Sequence, residues 1–254
     1  GIVCHPVPYG VRGCPSMRIL KQYLLTFTLA FGAVMAIAIF IVQQSVPVAA
    51  DAMPVQIILD AGHGGEDGGA STANGVPESR INLEIATRME DLFALVGRPV
   101  QMIRTEDISI YSSGAETLSQ KKVSDLKNRV LMINSTENAL LVSIHQNTYT
   151  DSKYHGAQVF YAATADSEAL GKHLQTQLAT FLDSNNMRKA KEASKSIYLM
   201  QNIQCTGVLV ECGFLSNPQE AEQLQDETYQ KRLSAVLVGG IAAYLEGKSE
   251  ESEV

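Results

Sequence analysis

The chain has 254 residues, of which 45% are hydrophobic and 19% charged, and its mean hydropathy is +0.00. This balance excludes an intrinsically disordered chain, which would carry fewer apolar residues and more net charge. The formal net charge of −7 and the absence of tryptophan argue against a general nucleic-acid-binding protein.

The first predicted element is an uncharged apolar run over Tyr23–Val42. A bilayer core about 30 Å thick needs roughly 20 apolar residues in a helix, which is the length of this run. Because Arg18 and Lys21 precede it, we expect a signal anchor over 17–42 whose C-terminal side is exported. Cleavage after the small residues 48–50 and a buried core helix are the alternatives.

The anchor divides the rest of the chain into four parts. Residues 1–16 precede Met17 and are predicted to be a leader outside the fold, and the polar segment 43–54 is a linker. One folded domain is expected over 55–247, and the acidic segment 248–254 is expected to be a frayed tail.

Strand and helix patterns alternate along the predicted domain. Short apolar runs predict strands at Val55–Leu59, Val100–Ile103, Ala139–Ile144, Ala157–Tyr161, Ile197–Met200 and Val208–Val210. Helical spacing predicts helices at Ser79–Val96, Lys121–Ser135, Asp166–Asp183 and Asp226–Glu246, with a long loop over Thr105–Gln120. This order predicts a single α/β domain with a twisted, mostly parallel sheet that helices cover on both faces.

A glycine-rich segment, DAGHGGEDGG over 60–69, follows the first predicted strand. It contains neither G-x-x-x-x-G-K-[ST] nor G-x-G-x-x-G, so a nucleotide-binding loop is not expected. It does contain an imidazole, His63, at the carboxyl end of a strand, where open α/β sheets bind their ligands.

Three further residues lie in comparable places. His145 ends another apolar strand, so the two imidazoles can converge on one point. Glu78 lies at the start of the first long helix, where a carboxylate is also favourable without any ligand. Glu211 follows the apolar run over 208–210, and it must be solvated, paired in an ion pair or bound to something.

Two histidines and one glutamate form a zinc-binding set that leaves a fourth position open, and a second, unligated glutamate suits amide hydrolysis. Such a glutamate takes a proton from the attacking water and delivers it to the leaving amine. The HExxH helix of zincin metalloproteases is absent from the sequence.

These segments together resemble the zinc-dependent N-acetylmuramoyl-L-alanine amidases of bacterial cell walls, the amidase-3 family. The matching landmarks are ILDAGHGGEDGGA, PESRINLEIA, IRTED, DLKNRV, LLVSIHQN and VLVECGFLSNPQEAEQL. The resemblance implies that His63, Glu78 and His145 bind Zn²⁺ and that Glu211 is the catalytic glutamate. It also implies hydrolysis of the amide between N-acetylmuramic acid and L-alanine, and the IRTED and DLKNRV elements are most similar to sporulation-type members.

The expected partners are therefore peptidoglycan and, through the N-terminal helix, the membrane, with no nucleic acid and no nucleotide. The expected location is the extracytoplasmic face of a bacterial membrane or the cell wall, including the envelope of a forespore. A zinc peptidase acting on stem peptides and a non-catalytic wall-binding protein of the same fold are the alternatives.

Two arginines and two cysteines in the predicted domain are expected to have no catalytic role. Arg104 and Arg129 are predicted to pair with acidic side chains such as those of Asp107 and Asp125. Cys205 and Cys212 flank a strand and lie too far apart along it to form a disulfide, so both are expected to be free thiols.

Overall fold

The computed structural model describes residues 27–28, 31–32, 35 and 54–252, and for 249–252 it describes the backbone only. The chain divides into two compact units, Gly1–Ala52 and Met53–Val254. In the first unit the described residues are helical. No helix among the described residues is long and apolar enough to cross a membrane, and most of the anchor predicted over 17–42 lies outside them.

The second unit is built on a six-stranded sheet. The strands are β1 (Gln56–Ala61), β2 (Gln101–Met102), β3 (Ala139–Asn147), β4 (Gln158–Tyr161), β5 (Lys191–Glu192) and β6 (Thr206–Phe214). Their order is β2-β1-β3-β6-β4-β5, and every neighbouring pair is parallel except β4 and β6. The prediction of a mostly parallel sheet is confirmed.

Six α-helices accompany this sheet in the described part of the second unit. They are α1 (Glu78–Leu95), α2 (Leu118–Asn134), α3 (Ser167–Gln177), α4 (Tyr198–Asn202), α5 (Pro218–Gln225) and α6 (Glu227–Ser252). A π-helical segment, Leu178–Leu182, continues α3. All four predicted helices are present, and α6 runs on into the segment predicted to be a frayed tail.

The central strands are apolar on both faces because each face is covered by helices. In β1, Ile57 and Leu59 pack into one core with α1, α3 and α6. Ile58 points to the other face, where it joins a smaller core with Ile133 of α2 and Leu199 of α4.

One predicted strand is wrong. The run Ile197–Met200 forms the N-cap and the first three residues of the helix α4 and is not part of the sheet. Leu199, Met200 and Ile203 are buried on one side of this short segment at helical spacing, and that pattern can be mistaken for a buried strand in so short a run. The helix α5 and the strand β5 were not predicted, whereas Cys205 and Cys212 are free thiols as predicted.

Candidate metal centre

Three of the four predicted site residues meet at the carboxyl edge of the sheet. His63 follows β1, His145 lies near the end of β3, and Glu78 is the first residue of α1. One possible ligand atom from each lies within 4.8 Å of the others. Parallel β1 and β3 end side by side, so their topology brings together imidazoles that are distant in sequence.

Glu78 is the buried centre of this group, with only 3% of its surface exposed. Its Oε1 lies 3.0 Å from Nδ1 of His145 and 3.4 Å from Nε2 of His63. Backbone amides also bind it, since Gln146 donates to Oε1 at 3.0 Å and Ala70 donates to Oε2 at 2.9 Å. Burial would raise the pKa of Glu78, but hydrogen bonds to the two imidazoles hold it well below its usual range.

His63 is oriented from its other side by Asp67. Nδ1 of the imidazole lies 3.0 Å from Oδ2 of Asp67, so Nε2 faces Glu78. Burial lowers the pKa of His63, but the hydrogen bonds to Asp67 and Glu78 outweigh it and raise the pKa to about 9. A carboxylate behind an imidazole is the usual way in which proteins fix the orientation of a metal-binding histidine.

Two glycines of the β1–α1 loop are required by the close approach of the ligands. A Cβ atom on Gly62 would lie 2.2 Å from the His145 ring. A Cβ atom on Gly69, which has a φ of 68°, would lie 2.5 Å from Oε2 of Glu78. The glycine-rich segment therefore makes room for the imidazoles and the carboxylate.

Glu211 lies in β6 directly beside His145 of β3 in the parallel register. Its Oε2 is buried and has no hydrogen-bond partner among the described residues. Burial raises the pKa of Glu211 to about 7, although the nearby His145 opposes this shift. A carboxyl group poised near neutrality is suited to accept and to return a proton.

Two buried arginines donate hydrogen bonds to the backbone at the end of β1 and in the loop that carries His63. Arg104 donates to the carbonyl oxygens of Ala61 at 2.8 Å and of Gly62 at 3.1 Å. Arg129 donates to the carbonyl oxygen of His63 at 2.7 Å.

The predicted acidic partners of these arginines are present. Arg129 pairs with Asp125 at 2.6 Å, and it also contacts the buried Asp60. Arg104 lies 4.0 Å from Asp107, so it is bound mainly to backbone carbonyls.

A cavity of about 170 Å³ opens beside the two imidazoles on the side of α2 and α4. Its walls combine apolar side chains, including Leu126, Ile197 and Leu209, with the charged Lys122 and Asp67. The site is therefore accessible to a ligand that is partly apolar and partly polar.

The residues that support the ligands were not predicted from the sequence. Asn82 donates to the carbonyl oxygen of Gly62 at 3.1 Å and lies 3.3 Å from Glu78 Oε1, and the Gln146 side chain donates to Asn82 at 3.1 Å. The only available signal was position, because Asp67 lies four residues after His63 and Asn82 four residues after Glu78. Four-residue spacings are so common that they do not identify a supporting residue unless the fold is known.

Comparison with known proteins gives one family. The profile of the amidase-3 family, described as N-acetylmuramoyl-L-alanine amidase, matches residues 57–243. The chain is 40% identical over 198 residues to the germination-specific N-acetylmuramoyl-L-alanine amidase of Bacillus subtilis, which covers 78% of this chain and 82% of that relative. It is 29% identical to the amidase LytC of the same organism over 74% of this chain and 35% of LytC.

Solved structures agree with this result. The CwlD amidase of Clostridioides difficile, solved in complex with the GerS lipoprotein, has a TM-score of 0.72 and 40% identity. That match covers 76% of this chain and 98% of CwlD. An N-acetylmuramoyl-L-alanine amidase from Clostridium difficile 630 has a TM-score of 0.66 and 27% identity, over the same shares of the two chains.

Proposed function

The chain belongs to the amidase-3 family of N-acetylmuramoyl-L-alanine amidases, and on this premise we propose that it cleaves the muramoyl amide of peptidoglycan with a zinc ion held by His63, Glu78 and His145. The convergence of these three donor groups within 4.8 Å carries the proposal. Two imidazoles and one carboxylate are a preferred zinc set, and softer or larger metals favour other donors.

Neighbouring groups also fit a zinc site, because they fix the orientation of the proposed ligands. Asp67 fixes the ring of His63, and the amides of Gln146 and Ala70 fix the carboxylate of Glu78. Zinc bound at these residues would polarise the carbonyl of the scissile amide and stabilise the negative charge that develops on its oxygen.

We assign the proton transfers to Glu211. Its carboxylate would take a proton from the water that attacks the amide carbon and return it to the nitrogen of the leaving L-alanine. The buried, unpartnered Oε2 and the raised pKa support this role, because such a group holds a proton easily and has no competing ion pair among the described residues.

The role of Glu211 is tested by the variant Glu211→Gln in the full chain. We expect it to keep about one zinc ion per chain, since the three ligands are intact, and to lose at least roughly 100-fold in turnover. Zinc is measured by elemental analysis, and products released from purified peptidoglycan are measured by mass spectrometry. The exposed Glu222 supplies the matched control, Glu222→Gln, which should behave like the wild type.

Two results would contradict the proposal. Loss of zinc from Glu211→Gln would make Glu211 a ligand instead of the catalytic residue. Wild-type products cut within the stem peptide, in place of intact peptides beginning with L-alanine, would indicate a peptidase.

We also propose that the enzyme works outside the cell membrane, tethered by the predicted anchor over 17–42, and that its substrates include spore cortex. The relative from Bacillus subtilis is named germination-specific, which supports a role in spores. The CwlD amidase was solved in complex with a lipoprotein, which supports a search for a lipoprotein partner of this chain. Fractionation of the expressing cells tests the tether, since recovery from the soluble fraction alone would contradict it.

A further inference from the structure

A cluster of three aromatic rings lies at the carboxyl edge of the sheet, outside the metal centre. Tyr149 and Tyr154 are edge-to-face with ring centroids 4.7 Å apart, and Tyr154 lies 6.4 Å from Phe214. Phe214 is buried, whereas Tyr149 is 55% and Tyr154 40% exposed. Large exposed rings that pack on each other offer a ready contact surface to a ligand.

This aromatic cluster, Tyr149–Tyr154–Phe214, lies next to the catalytic residues along two strands. Tyr149 is four residues beyond His145, so their Cα atoms are at most about 14 Å apart. Phe214 is the last residue of β6, three residues beyond Glu211. The amide of Leu215 donates to the carbonyl oxygen of Asn147 at 2.8 Å, so both strand ends stay together beyond the site.

The loop that carries the exposed rings is fixed to the chain after β6. The amide of Tyr149 donates to Oγ of Ser216 at 3.0 Å. The side chain of Asn217 donates to the carbonyl oxygen of Tyr154 at 3.3 Å, while its Oδ1 caps α5.

Glu220 of α5 completes this attachment. Its Oε1 accepts from the amide of Gly156 at 2.8 Å, and its Oε2 accepts from the amide of Phe214 at 2.8 Å. One carboxylate thus joins the loop to the end of β6. The segment after Glu211, which takes no part in binding the metal, holds the aromatic cluster at a fixed position.

The charges around the cluster favour a neutral ligand. Lys153 lies above the Tyr154 ring but pairs with Asp151 at 2.7 Å. Arg188 lies 4.5 Å from the Phe214 ring centroid and donates to Gln158 at 3.0 Å. Asp151 offsets the charge of Lys153, and the charge of Arg188 acts on the nearby carboxylate of Glu220, so the carboxylates of a stem peptide would find weak attraction here.

We propose that the aromatic cluster binds a sugar ring of the glycan strand, with Tyr149 as the exposed stacking face and Tyr154 as its support. The face of a pyranose ring is rich in C–H groups, which pack on the electron-rich face of an aromatic ring. The glycan is the neutral part of the substrate that extends from the scissile amide. This inference rests on the proposed function. It places the glycan strand on the side of the metal centre where the aromatic cluster lies.

The test compares two substrates that share the same stem peptide, a single muramoyl peptide and a glycan of several sugars. In the full chain, Tyr149→Ala should raise KM for the long glycan about five- to tenfold, because one stacked ring is lost. It should leave kcat/KM for the single muramoyl peptide unchanged, since in this proposal the cluster binds a further sugar of the strand, which that substrate lacks. Tyr149→Phe keeps the ring and should restore the KM for the long glycan.

Phe181→Ala is the matched control, because Phe181 is 57% exposed and lies on the π-helical segment, where its carbonyl oxygen accepts from Arg232 of α6. This variant should leave KM and kcat/KM unchanged for both substrates. As a second measurement, an oligomer of N-acetylglucosamine without a peptide should bind the wild type and Tyr149→Phe more tightly than Tyr149→Ala.

The outcomes separate this inference from the proposed function. If the wild type cleaves neither substrate, the proposed amidase function fails. Suppose instead that the wild type cleaves both substrates. The sugar-binding role of the cluster is then overturned if Tyr149→Ala cleaves both as fast as the wild type does, or if it slows the cleavage of both by the same factor. Equal binding of the oligomer by all three proteins would overturn it as well.

Discussion

Asp67 shows how much the metal centre depends on a residue that does not reach the proposed ion. It contacts Nδ1 of His63 at 3.0 Å and also pairs with Lys122 at 3.2 Å. Asp67→Asn should weaken zinc affinity about 10- to 100-fold, because the carboxylate fixes the ring and raises the basicity of the imidazole. Titration with a competing chelator measures the affinity.

The neighbouring Glu66 provides the control for this substitution. It is exposed and pairs with Lys121 at 2.7 Å, so Glu66→Gln removes a similar ion pair without touching an imidazole. Its zinc affinity should equal that of the wild type. Equal losses in the two variants would mean that loop charge, and not the orientation of His63, controls the affinity.

The predicted ligands were readable from the sequence because they end apolar strands or begin a helix. Their spatial convergence needed only the rule that parallel strands end at one edge. Asp67 and Asn82 were not predicted, since their roles depend on where a side chain points after the loop has folded. Local spacing contains no information about that direction until the loop conformation, with φ of 61° at His63, is known.

At the scale of elements, a buried ion pair joins β1 to α2. Asp60 is 1% exposed, contacts Arg129 and accepts from Oγ of Ser143 at 2.6 Å. Burial would raise the pKa of Asp60, but the Arg129 guanidinium and the Ser143 hydroxyl hold it below its unfolded value of 3.8. Because the folded pKa is the lower one, the charged pair stabilises the fold above pH 3.8, and this stabilisation disappears as the pH falls through the folded pKa.

We therefore expect Asp60→Asn to lower the free energy of unfolding at neutral pH by about 2–3 kcal/mol, because Arg129 loses one of its two carboxylate partners and keeps only Asp125. The difference from the wild type should shrink below about pH 4. Urea unfolding followed by tyrosine circular dichroism measures both. The exposed pair of Asp151 with Lys153 gives the control, since Asp151→Asn should have little effect on the free energy of unfolding. If the difference between Asp60→Asn and the wild type did not depend on pH, the proposed link between the pKa of Asp60 and stability would be wrong.

Elements differed in how well the sequence predicted them. The helices α1, α2 and α6 have long amphipathic patterns, and their predicted N-termini fall within three residues of the observed ones. The segment Ile197–Met200 was predicted wrongly because four residues are too few to separate a helical from an extended period. The short helix α5 begins at Asn217-Pro218, a capping signal that identifies it in retrospect.

At the scale of the whole catalytic unit, the fold was predictable and the antiparallel strand was not. Alternation of strands and helices implied the parallel order of β1, β3 and β6, which places His63, His145 and Glu211 at one edge. The reversal of β4 beside β6 depends on the short 148–157 connection, which crosses the carboxyl edge without a helix. That connection also brings Tyr149 and Tyr154 to the same edge as the metal centre.

Because the three proposed ligands come from the β1–α1 loop, α1 and β3, bound zinc would connect elements that separate on unfolding. A ligand that binds only the folded state stabilises it, by about 2.7 kcal/mol at a free concentration roughly 100 times its Kd. Zinc should therefore raise the thermal midpoint of the metal-stripped full chain, whereas magnesium, which prefers oxygen ligands, should not. His63→Ala should lose this zinc-dependent rise; an undiminished rise in that variant would show that the stabilising zinc binds elsewhere.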